Sequence, residues 1–262
     1  MARRIARSLV KLTFQHAVPA QILLTSRGAG PTLGDGVLMH RILVFAVIVA
    51  ASDAYGDPVP ITTCGQQVTT RSAELVQDLD CSASQESAGV VMVNGGRVAL
   101  NGFTLTVATT QNGVHCERSC RLFGPGTIVG GVTAAFRPGF GRIVVDGVTI
   151  TGAGTGVSAL RVSVKNSTLT GNGVGIAAYN PPVGFAIVSN STITGSGDRG
   201  VLGYRIRLVD SAVTGSGGSC PPMGTCCDLA SFNTPVLRGT STCGTSCSYQ
   251  AGGGTFGVCT ND

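Results

Sequence analysis

One eight-residue line is written six times in this chain of 262 residues. Val164-Lys-Asn-Ser-Thr-Leu-Thr-Gly171 has close copies in Val188-Ser-Asn-Ser-Thr-Ile-Thr-Gly195, Leu208-Val-Asp-Ser-Ala-Val-Thr-Gly215 and Val145-Asp-Gly-Val-Thr-Ile-Thr-Gly152. Phe123-Gly-Pro-Gly-Thr-Ile-Val-Gly130 and Leu100-Asn-Gly-Phe-Thr-Leu-Thr-Val107 are worn versions. Aligned on their last aliphatic, they give Leu105, Ile128, Ile150, Leu169, Ile193 and Val213, at intervals of 19–24 residues. Self-similarity at that period, in units with glycine corners, is the signature of a solenoid.

The aligned aliphatic stands between polar neighbours in most copies, which is the period of a strand: the aliphatic points in and the threonines out. Five residues earlier lies a second apolar position: Leu100, Phe123, Val145, Val164, Val188 and Leu208. A third follows in the next strand, at Val157, Ile176 and Val201. Gly130, Gly152, Gly171, Gly195 and Gly215 stand where a corner needs a residue without a side chain. Each repeat thus supplies about three short strands, which stack in parallel on those of the next coil, about 4.8 Å away. Helices between strands are not expected, because the segments are rich in Gly, Thr, Ser and β-branched residues.

On these motifs, over roughly residues 90–220, the chain resembles the right-handed parallel β-helix proteins of the pectin-lyase-like group. The fold expected is all-β, a right-handed parallel β-helix of about six coils with disulfide-rich caps. The organisation reads as a leader or misassigned start over 1–38, a signal peptide over 39–56, an N-terminal cap over 57–95, coils over 96–219 and a Cys-rich C-terminal cap over 220–262. Within the first cap, 68–79 is expected to lie across the open end.

Met39-His-Arg41 followed by the apolar run 42–51 and the small residues of Ala54-Tyr-Gly56 has the form of a secretory signal. The run is too short to span a bilayer comfortably. All ten cysteines follow it. Their even number in an exported chain implies disulfides among Cys64, Cys81, Cys116, Cys120, Cys220, Cys226, Cys227, Cys243, Cys247 and Cys259. The pairs expected are Cys64–Cys81, Cys116–Cys120 and Cys243–Cys259, with Cys220 joining Cys226 or Cys227. His115, beside Cys116, has metal-like company, yet no second pair stands nearby, and no metal or other cofactor is expected.

The formal charge of +5 sits mostly before residue 57, and the remainder carries about +1. A nearly neutral body gives no reason to expect nucleic acid as a partner. Thr104/Thr106, Thr149/Thr151, Thr168/Thr170 and Thr192/Thr194, continued by Thr127 and Thr214, are expected to form two hydroxyl ladders on one face. That face resembles the Thr-x-Thr face of ice-binding solenoids and offers hydroxyls to sugars; threonine also simply suits an exposed strand. Irregular coil spacing argues against a flat ice-binding array. Asn166 and Asn190 read as corner residues.

Resemblance to pectin-lyase-like enzymes implies either acidic calcium ligands with an arginine base, or paired aspartates. Between 130 and 220 the chain offers Asp146, Asp198 and Asp210 and no histidine. Asp146 and Asp210 are expected roughly 14 Å apart, three coils along. Asp198, Arg199 and Arg205 are the catalytic candidates as one surface patch, with turn residues and solvated charges as the plainer reading. The function expected is therefore non-catalytic: an exported, monomeric or weakly associating protein, secreted, periplasmic or at the cell surface. It presents a Thr/Asn-rich face to a polysaccharide, cell-surface glycan or partner, or serves a structural role. The alternatives are a polysaccharide lyase or glycoside hydrolase, and an ice- or surface-binding protein.

Overall fold

The computed structural model describes residues 57–178, 180–216, 227–249 and 254–262. The leader and signal segments expected over 1–56 lie outside the described residues. What is described is a parallel β-solenoid without helices. Each coil contributes one strand to each of three sheets. In one coil these are Arg142–Asp146 on the first sheet, Thr149–Thr151 on the second and Thr155–Ser158 on the third. Among the described residues the sheets hold nine, eight and nine strands, all paired in parallel between neighbouring coils.

The inward columns follow the repeat. Leu105, Ile128, Ile150, Leu169, Ile193 and Val213 pair in register along the second sheet, and all are completely buried. Val157, Ile176 and Val201 form the matching column of the third sheet. On the first sheet Val145, Val164, Val188 and Leu208 stack as expected. Two assignments there need correction. The inward residue opposite Val145 is Leu122, not Phe123, and the next is Val98, not Leu100. Phe123 pairs with Asp146 on the outer side. The cause is local: the corners 124–126 and 100–103 are longer than the two-residue corner 147–148, so the strand ends earlier in those coils. Glycine 175 shows why some repeat positions admit no side chain. A Cβ there would lie 2.4 Å from the Gly200 carbonyl oxygen and 2.7 Å from Cγ2 of Ile193.

Six coils cover the repeat region, and the flanking segments, expected as caps, carry the coils onward. Gln66–Val68 and Ser72–Leu75 are strands of the third and first sheets. So the segment expected to lie across the open end is itself wound into the solenoid. Beyond the repeats, Cys227–Ser231, Val236–Arg238, Thr242–Cys243 and Ser246–Ser248 extend all three sheets.

The corner between first and second sheets holds a buried serine ladder that the motif Asn-Ser-Thr encodes. Ser167, Ser191 and Ser211 each donate from Oγ to a carbonyl two residues earlier, at 2.5, 2.7 and 2.8 Å. Each Oγ then accepts a backbone N–H from the coil before: Val148 to Ser167, Ser167 to Ser191 and Ser191 to Ser211. Just before them, Asn166, Asn190 and Asp210 adopt φ of 48°, 46° and 48°. Asn and Asp tolerate this left-handed region better than other side chains, so the corner reading of both asparagines holds.

Disulfides join Cys64 to Cys81, Cys116 to Cys120 and Cys243 to Cys259, the three pairs expected from spacing. The fourth joins Cys227 to Cys247. This removes Cys227 as a partner of Cys220; Cys220 and Cys226 lie outside the described residues. Cys116–Cys120 sits on a third-to-first-sheet corner within the rod, with both residues buried. Four disulfides suit an oxidising compartment.

Candidate binding faces

The outer side of the second sheet is the threonine face. Its first column runs Thr104, Thr127, Thr149, Thr168, Thr192 in register and is interrupted by Ala212. Its second column runs Thr106, Val129, Thr151, Thr170, Thr194, Thr214. The two columns stand about 6.6 Å apart, with a coil repeat of about 4.8 Å. Thr170 and Thr194 link through their hydroxyls at 2.8 Å. Between Thr104 and Thr194 the turns on either side of this sheet hold only two to four residues.

The irregular coil interval therefore does not disturb this face, contrary to the expectation from spacing. Most of the variation is absorbed at the corner leading from the third sheet to the first. Successive corners there, after Cys116, hold three, five, two, six and one residues.

Those variable corners border the first sheet, and its outer side is chemically different. Arg97 pairs with Arg121, Arg142 with Arg161, and Phe185 with both Arg161 and Arg205. Arg207 and Lys165 are on the same side, and Arg238 pairs with Val209 at its far end. Only Glu74 and Asp146 offer carboxylates on these strands. One shallow cleft is lined by Arg97, Arg121, Phe123 and Arg142, and a second by Arg142, Arg161, Val183, Phe185 and Arg205. Arg142 belongs to both, so they adjoin. Nε of Arg207 is buried and has no hydrogen-bond partner.

The catalytic candidates are not brought together as one patch. Asp198 is exposed in the turn before Arg199–Gly203, a strand of the third sheet, and its backbone N–H bonds the Gly173 carbonyl at 2.7 Å. The Arg199 guanidinium carbon lies 5.3 Å from the centre of the Tyr249 ring. Arg205 opens the next strand, on the first sheet, so the whole of Arg199–Gly203 lies between it and Asp198, roughly 16 Å of extended chain. Asp146 accepts a 2.8 Å hydrogen bond from Asn166, and Asp210 a 3.0 Å one from the Thr240 N–H. Asp146 and Asp210 serve corners three coils apart. His115 packs edge-on against Phe136, with ring centres 5.4 Å apart. Among the described residues no three His, Cys, Asp or Glu side chains converge.

Two further carboxylates escaped sequence reasoning, and both are structural. Asp228 is buried and accepts N–H groups from Ser216, Gly244 and Thr245 at 2.9, 2.7 and 3.0 Å. Asp262 accepts from the Ser246 backbone and hydroxyl and from the N–H groups of Val258 and Cys259. Burial pushes its carboxyl up, but hydrogen bonds from Ser246, Cys259 and Val258 outweigh that and hold it below its ordinary range.

The arginine face was legible in principle. Arg142, Arg161, Phe185 and Arg205 all stand three residues before the aligned Val145, Val164, Val188 and Leu208. A charge sum over the body hides them, because carboxylates elsewhere cancel them in number and not in place. Comparison with known proteins adds no relative: no family model, no curated protein and no solved structure matches this chain.

Proposed function

We propose that this is an exported, non-catalytic β-helix protein that binds an extended glycan along its length, in the manner of a substrate groove of the pectin-lyase-like group without the chemistry. The observation that carries this is the separation of its carboxylates. Glycoside hydrolysis needs an acid and a second carboxylate flanking one bond. Asp146 and Asp210 instead hold corners three coils apart, and Asp198 lies on another side. What the rod offers is straight faces with shallow clefts, suited to a polymer. The test is a glycan-array screen of the protein secreted in disulfide-bonded form, paired with a turnover assay on any glycan retained. Retention with no shortening of the polymer is expected. Release of unsaturated or reducing ends, lost in Asp198→Ala or Arg205→Ala, would replace binding by catalysis.

A second reading is favoured by one observation, the in-register threonine columns bordered by tight turns. A flat array of hydroxyls and methyls with a fixed two-dimensional repeat suits an ordered surface such as ice. Thermal hysteresis in the parent, lost in Thr149→Tyr/Thr168→Tyr, would support it; ordinary freezing behaviour removes it.

A further inference from the structure

We infer that the first sheet's outer face, and not the threonine face, is the polymer-binding surface, and that its ligand is an acidic glycan whose oxyanions are taken directly by arginine without a bridging cation. The inference rests on the glycan-binding reading above and names the face and the ligand chemistry. Three observations carry it.

The first is segregation. The sequence after residue 56 holds twelve Lys and Arg, and eight of them stand on the strands of this one sheet: Arg97, Arg121, Arg142, Arg161, Lys165, Arg205, Arg207 and Arg238. Two carboxylates share those strands, and Asp146 is already bonded to Asn166. The body is nearly neutral in sum and strongly basic on one side.

The second is repulsion left in place. Arg142 faces Arg161 across adjacent strands. Like charges directly opposite one another destabilise a sheet. Arg97 Nε bonds Ser72 Oγ at 3.0 Å. A multivalent anion lying over the strands would turn this repulsion into attraction.

The third is periodicity. Among the six consecutive coils from Arg97 to Arg207, five carry an outward guanidinium, so positive charge recurs about every 4.8 Å along the axis. The coil without one presents Phe185, half-buried between Arg161 and Arg205, and Ile187, half-buried between Ser163 and Arg207. A linear glycan with one oxyanion per sugar places charges at a comparable step. The C–H face of a pyranose ring would rest on Phe185, while its carboxylates or sulfates meet the guanidinium forks on either side. Arginine suits this role because its planar donors match both oxyanions bidentately.

The experiment uses the secreted disulfide-bonded protein, with immobilised polygalacturonate and dextran sulfate as the carboxylate and sulfate probes, dextran as the neutral one and duplex DNA as the competing polyanion, all in EDTA. Expected are binding to one or both acidic glycans, none to dextran, and loss with rising salt. Arg142→Ala/Arg161→Ala/Arg205→Ala should weaken binding at least tenfold with an unchanged circular-dichroism spectrum; Arg142→Lys/Arg161→Lys should recover part of it. The polygalacturonate and dextran sulfate arms decide between carboxylate and sulfate. Equal binding by the triple alanine variant overturns the inference, as does duplex DNA bound as tightly as either acidic glycan. If dextran is retained and Thr149→Tyr/Thr168→Tyr releases it, this inference falls while the glycan reading stands. Retention of no glycan of any kind on the array or in this assay brings down both.

Discussion

The second and first sheets share one core and have unlike exteriors. Inside, each is a column of fully buried aliphatics, Ile150 and Leu169 on one and Val145 and Val164 on the other. Outside, the second sheet repeats threonine coil after coil between tight turns. The first sheet carries arginine, phenylalanine and serine beside corners of one to six residues. Repetition on the inside is what stacking demands, since each coil must bury its neighbour's face. Repetition on the outside is cheap for an unliganded strand. Like-charged side chains stacked on one another there have no such explanation from folding, because they cost stability where threonine would not.

The largest expected effect tests the shared core. Ile150→Asp or Ile193→Asp places an unpaired carboxylate in a fully buried column and costs several kcal/mol. The variant should not be recovered as a folded protein, and parental melting would show the column to be misassigned. Next comes the corner that joins the two sheets. Ser191→Ala removes the acceptor of the Ser167 N–H, 3.2 Å away, and leaves that buried donor unpaired. A loss of about 1–3 kcal/mol is expected, read as a lower denaturant midpoint. An unchanged midpoint would make the ladder incidental.

The core was legible because an inward position has one requirement, and six copies vote on it. Ile128, Leu169 and Val213 differ in shape and agree in character. The same voting misplaced Phe123 and Leu100. Alignment from the second sheet backwards assumes corners of fixed length, and Pro125 and Phe103 sit in longer ones. Threonine columns were legible for the same reason as the core. The arginines were not, although they hold a fixed position, because Phe185 breaks the row and Arg97 and Arg121 stand in the neighbouring row. Asp228 and Asp262 lie beyond the repeats, where no copy exists to compare; their roles depend on Ser216, Gly244 and Ser246 being folded against them.

Acid separates the end of the rod from its faces. The Asp262 carboxyl is held below its ordinary value in the folded chain by its bonds to Ser246, Val258 and Cys259. A lowered folded-state value means that the stabilisation is fully present above the unfolded value, near pH 4. It is lost as the pH falls through the folded one. Hydrogen exchange at the Val258 and Cys259 amides should therefore rise, relative to the intrinsic rate, below about pH 4. Exchange across the Leu169 and Ile193 strands should not. Asp262→Asn should show the loosened end already at neutral pH. Uniform loosening of the whole rod in acid would mean that the end is no separate unit.

The smallest effect is the most informative about the two faces. Arg142 stands beside Arg161, so Arg142→Glu exchanges a like-charge neighbour for an opposite one. Cross-strand pairs of this kind contribute roughly 0.2–1 kcal/mol, and the variant should be more stable by that order. It should at the same time bind acidic polymers more weakly, because Arg142 lines both clefts of the basic face. Thr168→Val, on the other sheet, should change stability by no more than about 0.5 kcal/mol and leave that binding alone. Opposite signs for stability and binding at Arg142, with neither moved at Thr168, are what a ligand face held at some expense of stability requires. If Arg142→Glu destabilises the rod, the arginines on this sheet support one another through contacts of their own. The contrast between the two exteriors would then be one of packing and not of function.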